Sequence, residues 1–199
     1  IQSRIGEPIT VQGQEVFVEA SIGVVPSLAA YDSAEKALRD ADAAMYRAKE
    51  AITRSVVVYE PTMTEEVSTQ LRLDAALRRG LERNEFVPFF LPTVNLETGA
   101  LIGFEVLARW RREDEVVSPG TFLGVAEDTG LIVPIGHQVI EKACSVLCDL
   151  QEEYDRDWHV ALSGNFSRQE FFRPETRTFV EEVLDRYDVV PSSFTMEIT

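Results

Sequence analysis

The order of strand and helix patterns after residue 85 most strongly constrains the fold of this 199-residue chain. Alternating or continuous apolar runs predict four strands, at about 86–94, 101–109, 159–165 and 193–199. Apolar residues at helical spacing predict a long helix at about 133–153 and another at about 175–187. Strand–helix–strand–helix–strand order is typical of right-handed βαβ units on a parallel sheet. The second part of the chain is therefore predicted to be α/β, opening with a hairpin.

The first 60 residues have a different organisation. Residues 8–11 and 15–25 predict a hairpin around Gly13, followed by a helix after Asp32 and a strand at 55–59. This β-β-α-β order is too short for a self-sufficient α/β domain. The chain also begins without Met and stops inside a strand pattern, so we expect it to be a piece of a longer protein.

A composition shift at Glu60-Pro61 predicts a domain boundary. The helical pattern that follows predicts a connecting or opening helix. The predicted organisation is a first domain at 1–60, a helix at 61–83 and a second domain at 84–199.

The strand around residues 103–110 carries an unusual polar face. Alternation places Glu105 and Arg109 on one face, and Val106 and Ala108 on the other. A buried carboxylate and guanidinium need partners or a ligand, because burying unpaired charge is costly. The alternative is an edge strand with a solvated polar face, and this stretch alone does not decide between the two.

Oxygen-bearing side chains occur on each of the three strands that the βαβ pattern brings together. Glu105 lies on the first, Asn165 ends the second and Glu197 lies near the end of the third. Carboxylate and amide oxygens suit a hard cation such as Mg²⁺ or Mn²⁺. Arg109 is suited to hold a phosphate. Taken singly, Asn165 also fits a turn residue and Glu197 a solvated edge charge.

Bulk properties limit the partners. The net charge is -15 and the pI is near 4.5, which argues against a nucleic-acid polymer or an anionic membrane surface as a partner. Cys144 and Cys148 lack the companions of a zinc site and suit a reducing compartment. No apolar run is long enough to cross a bilayer. We expect a cytoplasmic segment, which a membrane anchor elsewhere in the protein would not contradict.

Several motifs occur in the order found in one family. They are 91–99, 103–110, 118–122, 126–127, 130–132, 165–167 and 197–199. With these motifs the chain resembles the N-terminal half of an EAL domain, a family of cyclic di-GMP phosphodiesterases with a TIM-like β/α barrel. Upstream, 20–23 and 41–49 resemble the C-terminal part of a GGDEF (diguanylate cyclase) domain, an α/β sandwich. The order GGDEF then EAL is the usual tandem of bacterial cyclic di-GMP signalling proteins.

The resemblance implies roles for individual residues. Glu105, Asn165 and Glu197 match family metal ligands for Mg²⁺ or Mn²⁺, with Glu105 also in a catalytic role. Arg109 matches the arginine that contacts the ligand's phosphate, and Lys49 matches a cyclase lysine that approaches nucleotide phosphates. The implied ligand is cyclic di-GMP, which a two-metal mechanism hydrolyses to linear pGpG. A homodimer is a further implied partner.

The chain departs from the family pattern at several positions. The motif Glu-Ala-Leu becomes Glu-Val-Leu, with Val106 predicted to face away from the ligand. Leu91 replaces a glutamine in the substrate-binding part, so a polar group is lost. In the cyclase-like part, Ile52-Thr53-Arg54 replaces Gly-Arg-Asn, which removes a usual phosphate-contacting arginine unless Arg54 substitutes for it. We therefore do not expect cyclase activity from this segment.

The sequence is compatible with three functions: a phosphodiesterase, a degenerate domain that binds cyclic di-GMP as a receptor, and a regulatory or dimerisation scaffold. A paired Asp-Asp followed by a lysine strand beyond Thr199 would favour the enzyme.

Overall fold

The computed structural model describes residue 5 and residues 7–50, 56–153 and 160–198. The chain divides into two compact units, Ile1–Arg72 and Leu73–Thr199. No helix in the described ranges combines the length and apolar character needed to cross a bilayer.

The first unit contains two small sheets and a long helix. Its elements are β1 (Ile9–Val11), β2 (Gln14–Val16), β3 (Ile22–Val24), α1 (Ala34–Glu50) and β4 (Val56–Val58). Strands β1 and β2 form an antiparallel hairpin, whereas β3 and β4 pair in parallel. A small core forms where Ala43 and Ala44 of α1 pack with Met63.

The predicted single strand at 15–25 is wrong. Strand β2 ends at Val16 and β3 begins at Ile22, and no strand is assigned between them. The apolar pattern continues through this stretch, but the pairing partner changes from β1 to β4. A run of strand-forming residues therefore becomes two strands because a strand is defined by its hydrogen-bonded neighbour as well as by its pattern.

Helix α2 leads into the second unit, whose residues start at Leu73. The remaining elements are α2 (Pro61–Glu82), β5 (Phe86–Val94), β6 (Leu101–Arg112), β7 (Glu115–Val117), α3 (Pro119–Asp128), α4 (Ile132–Glu153), β8 (Ala161–Phe166), α5 (Arg168–Phe171), α6 (Pro174–Arg186), a 3₁₀ turn (Pro191–Ser193) and β9 (Phe194–Ile198). The predicted strands and helices are present with boundaries shifted by a few residues. Positions 159 and 199 of the predicted strands lie outside the described residues.

One sheet organises the second unit, with strand order β5-β6-β8-β9 and β7 beside β6. Strands β5 and β6 pair antiparallel, and β6, β8 and β9 pair in parallel. The predicted hairpin and parallel βαβ units are therefore confirmed. Close approach of β6 to β8 depends on Gly103, where an added Cβ would meet the carbonyl oxygen of Ala161 at 2.7 Å.

The apolar face of this sheet packs against the helices. Val106, Trp110, Leu162 and Phe166 are at most 3% exposed and belong to one core with residues of α3, α4 and α6. At its centre, the rings of Phe86 and Trp110 stack at 5.6 Å. The sheet therefore turns its apolar face to the helices and leaves its polar face on the opposite side.

Both cysteines lie on α4 and are free thiols. Burial raises the pKa of Cys144 to about 11, so this thiol stays protonated near neutral pH. Cys144 is therefore a buried packing thiol, whereas Cys148 on the same helix is half-buried.

Candidate metal and ligand site

Glu105, Asn165 and Glu197 lie on three neighbouring strands of the sheet. Across β6 and β8, Glu105 pairs with Ser163, which is two residues before Asn165. Across β8 and β9, Asn165 pairs directly with Glu197. Paired residues share a face, and residues two apart on a strand do as well. The three predicted ligands therefore share the polar face, toward the carboxyl ends of β8 and β9.

A hydrogen bond joins the first two of these side chains. The Asn165 Nδ2 atom donates to the Glu105 Oε1 atom at 2.8 Å, although the two residues are 60 positions apart. Glu105 is half-buried, whereas Asn165 and Glu197 are exposed. The amide orientation leaves the Asn165 Oδ1 atom available as an acceptor on the same face. Asn165 is thus a strand residue with a site partner, so the alternative of a simple turn residue is wrong.

The chemistry of this donor set fits a hard cation. Two carboxylates and one amide oxygen are the kinds of ligand that Mg²⁺ and Mn²⁺ take. Neighbouring strands lie about 4.8 Å apart, so the three side chains sample one region above the sheet. Among the described residues, no three side chains drawn from His, Cys, Asp and Glu form a preassembled metal cage. The three predicted ligands therefore include only two carboxylates, from Glu105 and Glu197, and the third is the amide of Asn165.

Leu91 and Arg109 border this group. Leu91 pairs directly with Glu105 across β5 and β6 and is 52% exposed, so an apolar side chain lies beside the carboxylate. Four residues along β6, Arg109 lies about 13 Å from Glu105 at the usual rise per residue. Its Nη1 atom donates to the Ala108 carbonyl at 2.8 Å, and its guanidinium lies 5.5 Å from the Phe89 ring centroid. Its remaining N–H donors are suited to an anion.

Val106 lies on the opposite face from this group. It is 3% exposed and belongs to the core beneath the helices. The prediction that the altered middle residue of the motif faces away from the ligand side agrees with this burial. The change from Ala to Val therefore affects packing behind the strand and leaves the Glu105 carboxylate on the polar face.

The turn after Asn165 contains a buried capping box that the sequence reasoning missed. The Glu170 Oε2 atom accepts from the Ser167 backbone N–H at 2.8 Å and from the Ser167 hydroxyl at 2.7 Å. Ser167 is 8% exposed and Glu170 is 2% exposed. Burial raises the pKa of the Glu170 carboxyl, the hydrogen bonds from Ser167 oppose this, and nearby Glu127 adds to it. The spacing Ser-x-x-Glu directly after Asn165 was the available signal.

A cavity of about 310 Å³ lies next to Asn165. Apolar side chains of α3 and α4 form most of its wall, together with Val106, Leu107 and Ala108 of β6. Glu127, Asn165, Ser167 and Glu170 supply its polar groups. An apolar cavity of about 150 Å³ accommodates benzene, so about twice that volume accommodates a bicyclic aromatic ring.

Comparison with known families decides the assignment. The sequence profile of the EAL domain matches residues 74–199, which is 126 of the 199 residues. The chain belongs to the EAL domain family. The profile described as "Diguanylate cyclase, GGDEF domain" matches residues 1–55. The predicted GGDEF–EAL tandem is therefore confirmed.

The match to a curated relative includes both the GGDEF part and the EAL part of the chain. The chain is 34% identical over 197 residues to the "Bifunctional diguanylate cyclase/cyclic di-GMP phosphodiesterase MucR" of Pseudomonas aeruginosa, covering 98% of this chain and 28% of MucR. The solved structure "PaMucR Phosphodiesterase, c-di-GMP complex" matches with a TM-score of 0.57 and 33% identity, over 63% of this chain and 50% of that one.

The EAL domain of FimX from Pseudomonas aeruginosa bound to c-di-GMP matches with a TM-score of 0.55 and 25% identity, over 63% of this chain and 49% of that one. The predicted fold class, a partial GGDEF domain followed by a partial TIM-like barrel of EAL type, is therefore confirmed. The chain spans 28% of the length of MucR and about half of these solved EAL chains.

Lys49 belongs to the GGDEF part. It lies in the last turn of α1 and is exposed. The altered stretch Ile52-Thr53-Arg54 lies outside the described residues. The predicted nucleotide contact of Lys49 stays a prediction.

Proposed function

We propose that the EAL domain of the intact protein hydrolyses cyclic di-GMP to pGpG with the help of Mg²⁺ or Mn²⁺. The observation that carries this proposal is the grouping of Glu105, Asn165 and Glu197 on one face, with Asn165 hydrogen-bonded to Glu105. Support also comes from MucR, whose name includes cyclic di-GMP phosphodiesterase activity, and from the similar solved structure of the PaMucR phosphodiesterase, which is a c-di-GMP complex.

In this proposal Glu105, Asn165 and Glu197 hold the cation through their side-chain oxygens. The bound cation supplies Lewis-acid polarisation of the phosphodiester and lowers the pKa of water. The chain's own contribution is to orient these oxygens from a rigid sheet. The hydrogen bond from Asn165 fixes the Oε1 atom of the Glu105 carboxylate. Because both oxygens belong to one planar group, the same contact also fixes the direction of Oε2.

Arg109 is proposed to bind a phosphate of the dinucleotide. Its guanidinium keeps N–H donors beyond the one that the Ala108 carbonyl accepts. Because the guanidinium already stacks on Phe89, the Arg109 side chain loses little conformational freedom when it binds an anion. Leu91, beside Glu105, is proposed to make an apolar contact with the ligand where the family has an amide.

The cavity beside Asn165 is proposed to receive a guanine base. Its apolar wall suits an aromatic ring, and Glu127 offers a carboxylate acceptor to the N–H donors of guanine. A site for phosphate at Arg109 and a site for a base near Asn165 together match the two chemical parts of a cyclic dinucleotide.

A receptor that binds cyclic di-GMP without turnover is the second candidate. The observation that favours it is Leu91, because an apolar side chain next to Glu105 lowers the number of polar groups available to orient water or ligand. A regulatory scaffold is a third role for the same fold.

Further proposals concern the whole protein. We retain the domain division at 1–60, 61–83 and 84–199, a nucleotide contact for Lys49, and homodimer formation, which sedimentation of the intact protein tests. A cytoplasmic location is proposed because both cysteines are free thiols.

The decisive experiment incubates the intact protein with cyclic di-GMP and Mn²⁺ and follows pGpG by chromatography. Glu105→Ala should abolish turnover, whereas Glu97→Ala, an exposed glutamate in the β5–β6 turn, should leave it unchanged. Calorimetric binding of cyclic di-GMP without turnover would favour the receptor. Turnover that survives Glu105→Ala would overturn the metal assignment.

A further inference from the structure

Asn165 is held by a short stretch of backbone whose position depends on buried contacts. Strand β8 ends at Phe166, which is 1% exposed, and Ser167 follows at once as the N-cap of α5. The Ser167 hydroxyl also accepts from the Glu170 backbone N–H at 3.3 Å. The reciprocal bonds close a ring between Ser167 and Glu170, which fixes the direction in which the chain leaves β8.

Helix α4 holds this ring from the other side. A Cβ added at Gly136 would meet the Glu170 Oε1 atom at 2.1 Å, so the carboxylate lies directly against the α4 backbone. A glycine at this helical position lets a charged group approach that closely. The turn after Asn165 is therefore anchored to both its own helix and α4.

The anchor is unusual for a capping box. Such boxes commonly lie at exposed helix starts, whereas this one buries a carboxylate, with Glu127 nearby and no cationic partner among the described residues. Burial of a charge with hydrogen bonds as its only compensation is a poor way to gain stability. Helix α5 has only four residues, so capping it brings little by itself.

We infer that Glu170 is a positioning residue for Asn165: through Ser167 and against Gly136, it fixes the end of β8 so that the Asn165 amide meets Glu105. Only one part of this inference rests on the proposed function, namely its consequence that fixing Asn165 tightens metal binding. The geometric part stands on the contacts of Ser167, Glu170 and Gly136.

The first test reads the Asn165 amide directly in the intact protein labelled with ¹⁵N-asparagine. The 199 residues contain asparagines at 84, 95 and 165, and an Asn165→Asp variant of the intact protein identifies the Asn165 signal among all asparagine signals. Glu170→Ala should shift the Asn165 side-chain NH₂ signals and speed their exchange with water. Glu170→Gln, which keeps an oxygen for the Ser167 N–H, should restore them. Glu175→Ala, an exposed glutamate in the first turn of α6, is the matched control.

The second test measures Mn²⁺ binding from the electron paramagnetic resonance signal of free Mn²⁺. Glu170→Ala should weaken Mn²⁺ binding about tenfold, the lower end of the effect of groups that support a metal ligand, and Glu170→Gln should restore most of it. An unchanged Asn165 signal in Glu170→Ala would overturn the inference whatever the activity. Parent protein that binds no Mn²⁺, with the Asn165 signal altered in Glu170→Ala, would instead refute the proposed metal function and keep the positioning role.

Discussion

Replacing Gly136 by alanine tests the contact between α4 and the Glu170 carboxylate. The new Cβ would lie 2.1 Å from Glu170 Oε1, whereas ordinary contacts start near 3.4 Å. The carboxylate would therefore have to move by about 1.3 Å, the difference between these distances. Two hydrogen bonds from Ser167 oppose this movement.

The expected free energy follows from opposing contributions. Alanine favours a helix interior over glycine by about 1 kcal/mol. Overpacking of a tight interior costs about 1–3 kcal/mol, and weakening hydrogen bonds to a charged group costs about 1.5–3 kcal/mol each when they are lost. Partial weakening of the two bonds leaves a net loss of about 1–2 kcal/mol. Gly124→Ala in α3 is the matched control, because nothing lies within 4 Å of its added Cβ and only the helix gain of about 1 kcal/mol applies.

Hydrogen exchange with mass spectrometry measures this local stability in the intact protein. Gly136→Ala should speed exchange of α4 amides about tenfold, since 1.4 kcal/mol corresponds to a factor of ten. In a protein that already carries Glu170→Ala, Gly136→Ala should instead slow the exchange of α4 amides. The obstructing carboxylate is then absent, and only the gain in helix stability remains. Slower exchange in Gly136→Ala, equal to that of Gly124→Ala in α3, would refute the reasoning.

Three further predictions concern pH and packing. Burial lowers the pKa of His137 in the folded protein. The unfolded state, in which the pKa is near 6.5, therefore binds a proton more readily, and stability falls as pH drops below about 6.5. His137→Phe keeps a ring stacked on Phe179 and should lose less melting temperature than the parent between pH 7 and 5. Burial raises the pKa of Glu170 in the folded protein. Its contribution to stability is therefore complete below the pKa of the unfolded state and is lost as pH rises through the pKa of the folded state. The melting temperature of Glu170→Gln should rise relative to that of the parent between pH 5 and 8, and an equal pH dependence of the two proteins would contradict this. Val106→Ala should cost about 1–3 kcal/mol by emptying core volume while leaving Mn²⁺ binding unchanged, because its side chain points away from Glu105.

Local periodicity was sufficient to predict the polar face of β6. Side chains alternate with period two on any strand, so Glu105 and Arg109 had to share a face and Val106 had to oppose them. The strand–helix order likewise predicted the parallel pairing of β6, β8 and β9, because few other arrangements connect such elements. The grouping of Glu105, Asn165 and Glu197 followed from these two rules.

Contacts between distant residues could not be predicted in the same way. The bond from Asn165 to Glu105 depends on a side-chain conformation and on a register between strands 60 residues apart. The capping motif at Ser167 was visible in the sequence, but its burial against Gly136 arises only when α4 packs on the sheet. For the same reason the apolar run after Val16 could not reveal that it divides between two pairing partners.

The central claim is that side chains on three neighbouring strands of this EAL domain form one cation site. A crystal structure of the intact protein soaked with Mn²⁺ and cyclic di-GMP, with an anomalous difference map, tests this most directly. The account predicts a Mn²⁺ peak within about 2.0–2.6 Å of side-chain oxygens of Glu105, Asn165 and Glu197. A Mn²⁺ peak at other residues, in protein that converts cyclic di-GMP to pGpG, would contradict it.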